Sequence, residues 1–317
     1  MIRTATLSCF ALALFVCNAV QGQTQPPAQA PSFSIPFPGD GNVVSLEIEA
    51  GIEQAKERVF LANQQYETDV RLHQRGSKSR NEVSKSLYQL KIARLRLKAL
   101  QNASMNITES EKADVQSEIA LELAKVSTQF AKSEYETAKR LHAKGSQTNQ
   151  ELRRTLFNYK LSRIDLKRAT LENESKPVDE KADRLEQLGV EEAKVRHEMA
   201  QSDYEVVKRL YQRGGISKLR LEYASYLENV AKLEWLAARV NAAPLSDTDK
   251  GFKHADISVA KVKAKLKYLK SVYTTKKSLH DRGRVPKLEL LRALEGVKKA
   301  ELELKAAQAA AVSEVET

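Results

Sequence analysis

The sequence predicts an all-α protein of four tandem antiparallel coiled-coil hairpins, eight long helices on a period of 69 residues. Three observations predict it. First, the chain from about residue 45 onward is dominated by Ala, Leu, Glu, Lys and Arg, with sparse Gly and Pro. Second, four stretches, "RLHQRGSKSRNE", "RLHAKGSQTNQE", "RLYQRGGISKLR" and "SLHDRGRVPKLE", place Gly76, Gly145, Gly214 and Gly283 in one register. Third, apolar residues between these glycines recur in steps of three and four. Such composition and spacing belong to long helices, and a fixed internal period sets the architecture.

The register holds at other positions. Leu72, Leu141, Leu210 and Leu279 lie four before the glycine, and Tyr66, Tyr135, Tyr204 and Tyr273 lie ten before it. Glycine lacks a Cβ and suits the left-handed position just past a helix C-terminus, so each glycine ends a helix. Three residues on, Ser79 with Glu82 and Thr148 with Glu151 have the spacing of a capping box, in which hydroxyl and carboxylate satisfy orphan N–H groups at a helix start. The third copy keeps Ser217 but has Arg220 in place of the acid, and the fourth has Pro286, which suits a first helical turn. Ile216 with Leu221 and Val285 with Leu290 have the spacing of a hydrophobic staple. All four turns are expected to be tight helix reversals.

After the third turn, Leu219, Tyr223, Tyr226, Val230, Leu233, Ala237 and Val240 follow a heptad seam. Elsewhere the stripe is wider: Leu87 and Leu90, Leu156 and Tyr159, and Leu294 and Val297 are joined by a second line that includes Tyr88, Leu95, Phe157 and Ile164. A face of that width implies contact with more than one neighbour. The connectors "NASMNITES", "ENESKPVDE" and "NAAPLSDTDKG" are polar, and two of them carry Pro177 and Pro244, as expected of turns at the opposite end of the hairpins. The expected hairpins are 45–104, 111–174, 179–242 and 252–313, with helices of about 27 residues, roughly 40 Å long at 1.5 Å per residue.

The N-terminal residues have a different character. Arg3, an uncharged apolar run from Ala5 to Val20 and then "VQGQ" have the layout of a secretory signal peptide, residues 1–22, cleaved after Gly22. The run is short for a membrane span of about 20 apolar residues. Residues 23–44 contain five prolines between Pro26 and Pro38 and are expected to form an extended, disordered linker. Both cysteines, Cys9 and Cys17, fall inside the signal, so the exported chain would be held by packing alone, without disulfide or thiolate metal site.

No catalytic, cofactor-binding or metal-binding residues are expected. His73, His142 and His280 recur three before the glycine, but Tyr211 replaces them in the third copy, and they are expected to be solvated residues at the shoulder of the turn. His197-Glu198 would begin a zinc-protease motif, yet position 201 is Gln rather than the second His that must share the helical face. There is no Gly-rich phosphate loop after a strand and no serine elbow. The expected protein is not an enzyme.

The charge is not evenly spread. The whole chain carries +11, and removing Arg3 leaves +10. From six residues before to six after each glycine the net charges are +3, +2, +5 and +2, so these four windows hold +12 and the rest of the chain is slightly negative. Arg71, Arg75, Lys144 and Arg213 complement the negative end of a helix dipole. Arg80, Lys218, Arg220 and Lys287 do not, because they stand where a helix begins and its dipole disfavours cations. Leu72, Arg80, Leu210, Arg213, Ser217, Lys218, Arg220, Arg284 and Lys287 are therefore candidate contacts at the hairpin tips.

The third copy, "AQSDYEVVKRLYQRGGISKLRLEYASYLENVAKLEWLAARV", resembles the α-helical hairpin of periplasmic adaptor (membrane fusion) proteins of bacterial efflux pumps and type I secretion. A weaker similarity joins the repeats to the helical repeats of outer-membrane channel proteins. In the adaptors an Arg, a Leu four later and a Ser seven beyond mark the tip that docks on the channel. Leu210 and Ser217 fall on two of these positions and Val206 on the third; the first copy offers Thr68, Leu72 and Ser79. The resemblance implies an envelope protein, periplasmic or secreted, acting as a spacer or docking scaffold beside an efflux or secretion assembly. It would meet a protein partner at its tips, with homo-oligomers open to it. The alternative is a secreted protein that binds a polyanion or anionic surface through the same basic tips, which would weaken steeply with salt. Aromatic residues for stacking on bases are missing from the turns apart from Tyr211.

Overall fold

The computed structural model describes residues 43–105, 108–174 and 177–313. The expected signal peptide and the linker up to residue 42 lie outside the described residues. Eight helices follow in order: α1 Val43–Gln74, α2 Arg80–Ser104, α3 Glu109–Ala143, α4 Asn149–Asn173, α5 Val178–Gln212, α6 Lys218–Asn241, α7 Asp247–Asp281 and α8 Lys287–Ser313. There is no strand among the described residues, and the all-α fold is as expected. α1 starts two residues inside the stretch expected to be linker, because the last proline is Pro38 and nothing after Gly41 opposes a helix.

The helices are antiparallel in sequence order. α1 meets α2 where Arg94 Nη2 donates to Asn63 Oδ1 at 3.4 Å, and α3 meets α4 where Thr128 Oγ1 donates to the carbonyl of Ser162 at 2.7 Å. From α2 onward each helix packs on the one that follows it, and among the described residues no packing joins helices that are not consecutive. The result is a single file of helices, not an eight-helix bundle. Because direction alternates along the file, the four glycine turns lie at one end and the other connectors at the opposite end.

Helix lengths depart from the expected uniform 27 residues. α3, α5 and α7 have 35 residues each, about 52 Å, whereas α2, α4 and α6 have 25, 25 and 24. Asn173, the last residue of α4, donates through Nδ2 to the carbonyl of Ser117, the ninth residue of α3, so the first two turns of α3 run past the end of the short helix. The extra length starts at a second set of caps spaced by 69: Thr108, Pro177 and Ser246. Thr108 makes a full capping box with Glu111, and Ser246 accepts from the N–H of Asp249 at 3.1 Å. Ser246 corrects the expected start of the last hairpin from 252 to Asp247, since the capped helix runs through Gly251.

A buried apolar cluster lies between the second and third hairpins. Phe157 and Ile164 of α4 close on Val195 of α5, with Leu161, Leu188 and Met199 packed around them, and Ile164 is 1% exposed. Each such side chain contributes about 1.5–3 kcal/mol by burial. The opposite face of α4 turns to α3, where Tyr159 stacks on Tyr135 with ring centroids 6.1 Å apart. Both lines of the wide apolar stripe are thus used. No described helix is long and apolar enough to cross a membrane.

Candidate functional site: the hairpin tips

Each tip is built from the same backbone device. Gly76, Gly145, Gly214 and Gly283 have φ of +75°, +71°, +73° and +72°. The N–H after each glycine donates to the carbonyl of the leucine four before it, as in Ser77 to Leu72 at 2.8 Å and Gly215 to Leu210 at 2.9 Å, and the glycine's own N–H bonds three residues back. This is the Schellman arrangement, which satisfies the last carbonyls of the helix and requires a residue that tolerates positive φ.

The next helix starts as expected in three copies. Ser79–Glu82 and Thr148–Glu151 form complete capping boxes, and Ser217 accepts from the N–H of Arg220 at 3.3 Å without a returning carboxylate. Pro286 stands one residue before α8 rather than within its first turn, and its carbonyl accepts the first helical bond from Leu290 at 3.3 Å. The staple residues Ile216, Leu221, Val285 and Leu290 are all half-buried.

The recurring histidines belong to this device, a role the sequence reading missed. His73 Nδ1 lies 2.8 Å from the carbonyl of Lys78, His142 Nδ1 2.9 Å from Gln147, and His280 Nδ1 2.8 Å from Val285. A carbonyl only accepts, so each Nδ1 carries a proton and ties the end of one helix to the residue before the next helix's cap. They are turn locks, not free shoulder residues. The constant spacing of five from His to acceptor could have suggested it.

The first tip has an added anchor. Lys78 Nζ sits 2.6 Å from Asp69 Oδ1, and Asp69 is only 4% exposed. The hydrogen bond from Lys78, with further ones from Ser86 and Gln65, holds the Asp69 carboxyl below the usual aspartate range despite burial. Lys78 is therefore a structural cation.

Other tip cations are free. Arg80, Arg213, Arg220, Arg284 and Lys287 are exposed, and none has an ion pair among the described residues. Lys218 is also exposed and reaches only Glu222, at 3.8 Å. Along the body some cations are paired between helices: Lys160 with Glu198 at 2.8 Å, Lys167 with Glu191 at 2.7 Å, Arg168 with Glu192 at 2.7 Å and Lys265 with Glu303 at 2.7 Å. The net positive charge of the chain, +12 in the stretches around the four glycines, is gathered at one end of the file. Half-exposed apolar side chains stand among it, namely Leu141, Leu210 and Tyr211, whereas Leu72 is more covered.

The residues considered for chemistry have other duties. His197 stacks on Trp235 at 5.6 Å and meets Glu228 at 3.1 Å, while Glu198 holds Lys160. Among the described residues no three His, Cys, Asp or Glu side chains are grouped so as to hold a metal ion. Comparison with protein families, with curated proteins and with solved structures finds no match for this chain.

Proposed function

We propose that this chain is a non-enzymatic, exported scaffold of the cell envelope that holds a partner protein at its basic hairpin tips, away from the opposite end of the file. One observation carries the reading: the stretches around the four turn glycines hold a net +12, with Arg80, Arg213, Arg220, Arg284 and Lys287 exposed and without ion pairs among the described residues, and the four tips face the same way. Arg220 and Lys287 sit where the helix dipole opposes them, so their placement costs stability and is best explained by an external acidic contact. The signal-like N-terminus supports export, and the resemblance to adaptor hairpins supports a place beside an efflux or secretion assembly. Leu210 and Tyr211, half-exposed beside Arg213, favour a protein surface over a bare polyanion, because burying apolar area stabilises only the former contact.

Arg220→Glu tests the reading. It completes the capping box with Ser217 and should raise stability by about 0.5–1 kcal/mol. The same change, combined with Arg213→Glu and Lys218→Glu, should abolish co-purification of envelope proteins crosslinked in the native cell. Retention of the same crosslinked partners by the triple variant would exclude the tips as the contact. Partner-free protein with salt-sensitive binding to polyanions would favour the second reading.

A further inference from the structure

The file of helices makes the same joint between hairpins three times. Tyr88 stacks on Phe130 at 4.3 Å between α2 and α3; Phe157 and Met199 share the cluster between α4 and α5; Tyr226 stacks on Tyr268 at 5.3 Å between α6 and α7. Members on each side are spaced by 69. In the same joint Ile164 of α4 is buried with Val195 of α5. Carrying these positions one period further puts Glu295 and Leu302 on α8, and Leu61 and Glu57 on α1.

Those faces of the two terminal helices are uncovered among the described residues. On α8, Leu302 is 66% exposed, Leu288 60% and Leu291 50%; on α1, Phe60 is 60% and Leu61 54% exposed. Leu302 is the counterpart of Ile164 and lacks only the helix that would cover it.

Charge is complementary in the same register. Tyr88 Oη lies 3.5 Å from Ser127 Oγ, and the counterparts of these positions on the terminal helices are Glu295, three periods after Tyr88, and Arg58, one period before Ser127. Lys167 binds Glu191 at 2.7 Å, and its counterparts are Lys305 and Glu53. Glu295, Arg58 and Lys305 are exposed, with no ion pair among the described residues, and Glu53 has only the local partner Lys56.

We propose that the outer face of α8 docks on the outer face of α1 of a second copy, continuing the file in register, with Glu295 opposite Arg58 and Lys305 opposite Glu53 of that copy. The two faces differ, so the contact is heterologous and propagates into a ring or filament instead of stopping at a dimer. It leaves the tips free and does not depend on what they bind.

The full chain with Cys9→Ser and Cys17→Ser, carrying Glu295→Cys and Arg58→Cys together, should give a ladder of disulfide-linked multimers on mild oxidation. Neither cysteine alone should do so. Absence of crosslinks, a disulfide confined to single chains, or dimers from Glu295→Cys alone would each overturn the proposal, the last two by showing internal closure or symmetric pairing of α8. In parallel, sedimentation should show Leu302→Glu weakening association at least about tenfold with helicity unchanged. Glu295→Arg should weaken it, and adding Arg58→Glu should restore it. Association indifferent to Leu302→Glu would equally overturn the proposal.

Discussion

His142 donates from Nδ1 to the carbonyl oxygen of Gln147 at 2.9 Å, bridging the end of α3 and the cap of α4. The bond bypasses Gly145 and is repeated at two of the other three tips. Replacing His142 with Ala should therefore cost about 0.5–1.5 kcal/mol and raise amide exchange at Gly145 and Ser146 more than elsewhere. Unchanged exchange at those amides would show that the backbone bonds alone hold the turn.

Two glycines should respond in opposite directions to the same substitution. Gly145 has φ +71° and open space where a Cβ would stand, so Gly145→Ala is opposed by backbone conformation alone and should destabilise by about 1–2 kcal/mol. Gly189 lies within α5, also with open space around a Cβ, and Gly189→Ala should stabilise by about 0.5–1 kcal/mol. Urea midpoints of the two variants decide it.

Ile164 and Leu302 occupy the same place in the repeat and differ in cover. Ile164→Ala should cost about 2–5 kcal/mol, with cavity formation beside Val195. Leu302→Ala, measured dilute enough to keep chains apart, should change stability by less than about 0.5 kcal/mol. Equal costs would mean that another helix covers α8 in the single chain.

Acid should act in two stages. Burial raises the carboxyls of Glu134, Asp165 and Asp203, so these groups bind protons on folding, and stability increases slightly as pH falls through their raised values. Asp69, held by Lys78, and Glu82 and Glu151, held by the N-cap residues Ser79 and Thr148, are depressed. Their contribution is complete above the unfolded value of about 4 and is lost as pH falls through the folded values. Denaturant midpoints from about pH 7 to about pH 2.5 should pass through a shallow maximum and then drop, and Asp69→Asn should lower the neutral value and flatten the drop.

Much of the tip was legible before any coordinates. The glycines, Ser79, Glu82, Thr148, Glu151 and Ser217 act through neighbours within three or four residues, and such local bonding leaves its mark in spacing. The histidine lock was just as local, but Tyr211 broke the pattern and masked it. The unequal helix lengths went unseen because Thr108, Pro177 and Ser246 are three different residue types at one position. Only the backbone shows that they do the same thing.

The sequence by itself determined where the chain turns at the four glycines and what caps the helix after each, since these depend on backbone preferences and on partners a few residues away. It also determined that the excess positive charge gathers around the four turn glycines. Only the tertiary structure decided that the hairpins stand in single file, that Phe157 and Ile164 face the next hairpin, and which cations, such as Lys160 and Lys167, find carboxylates on a neighbouring helix. Those outcomes depend on which of two nearly equal apolar faces meets which neighbour, and a wide stripe is compatible with several answers until packing selects one.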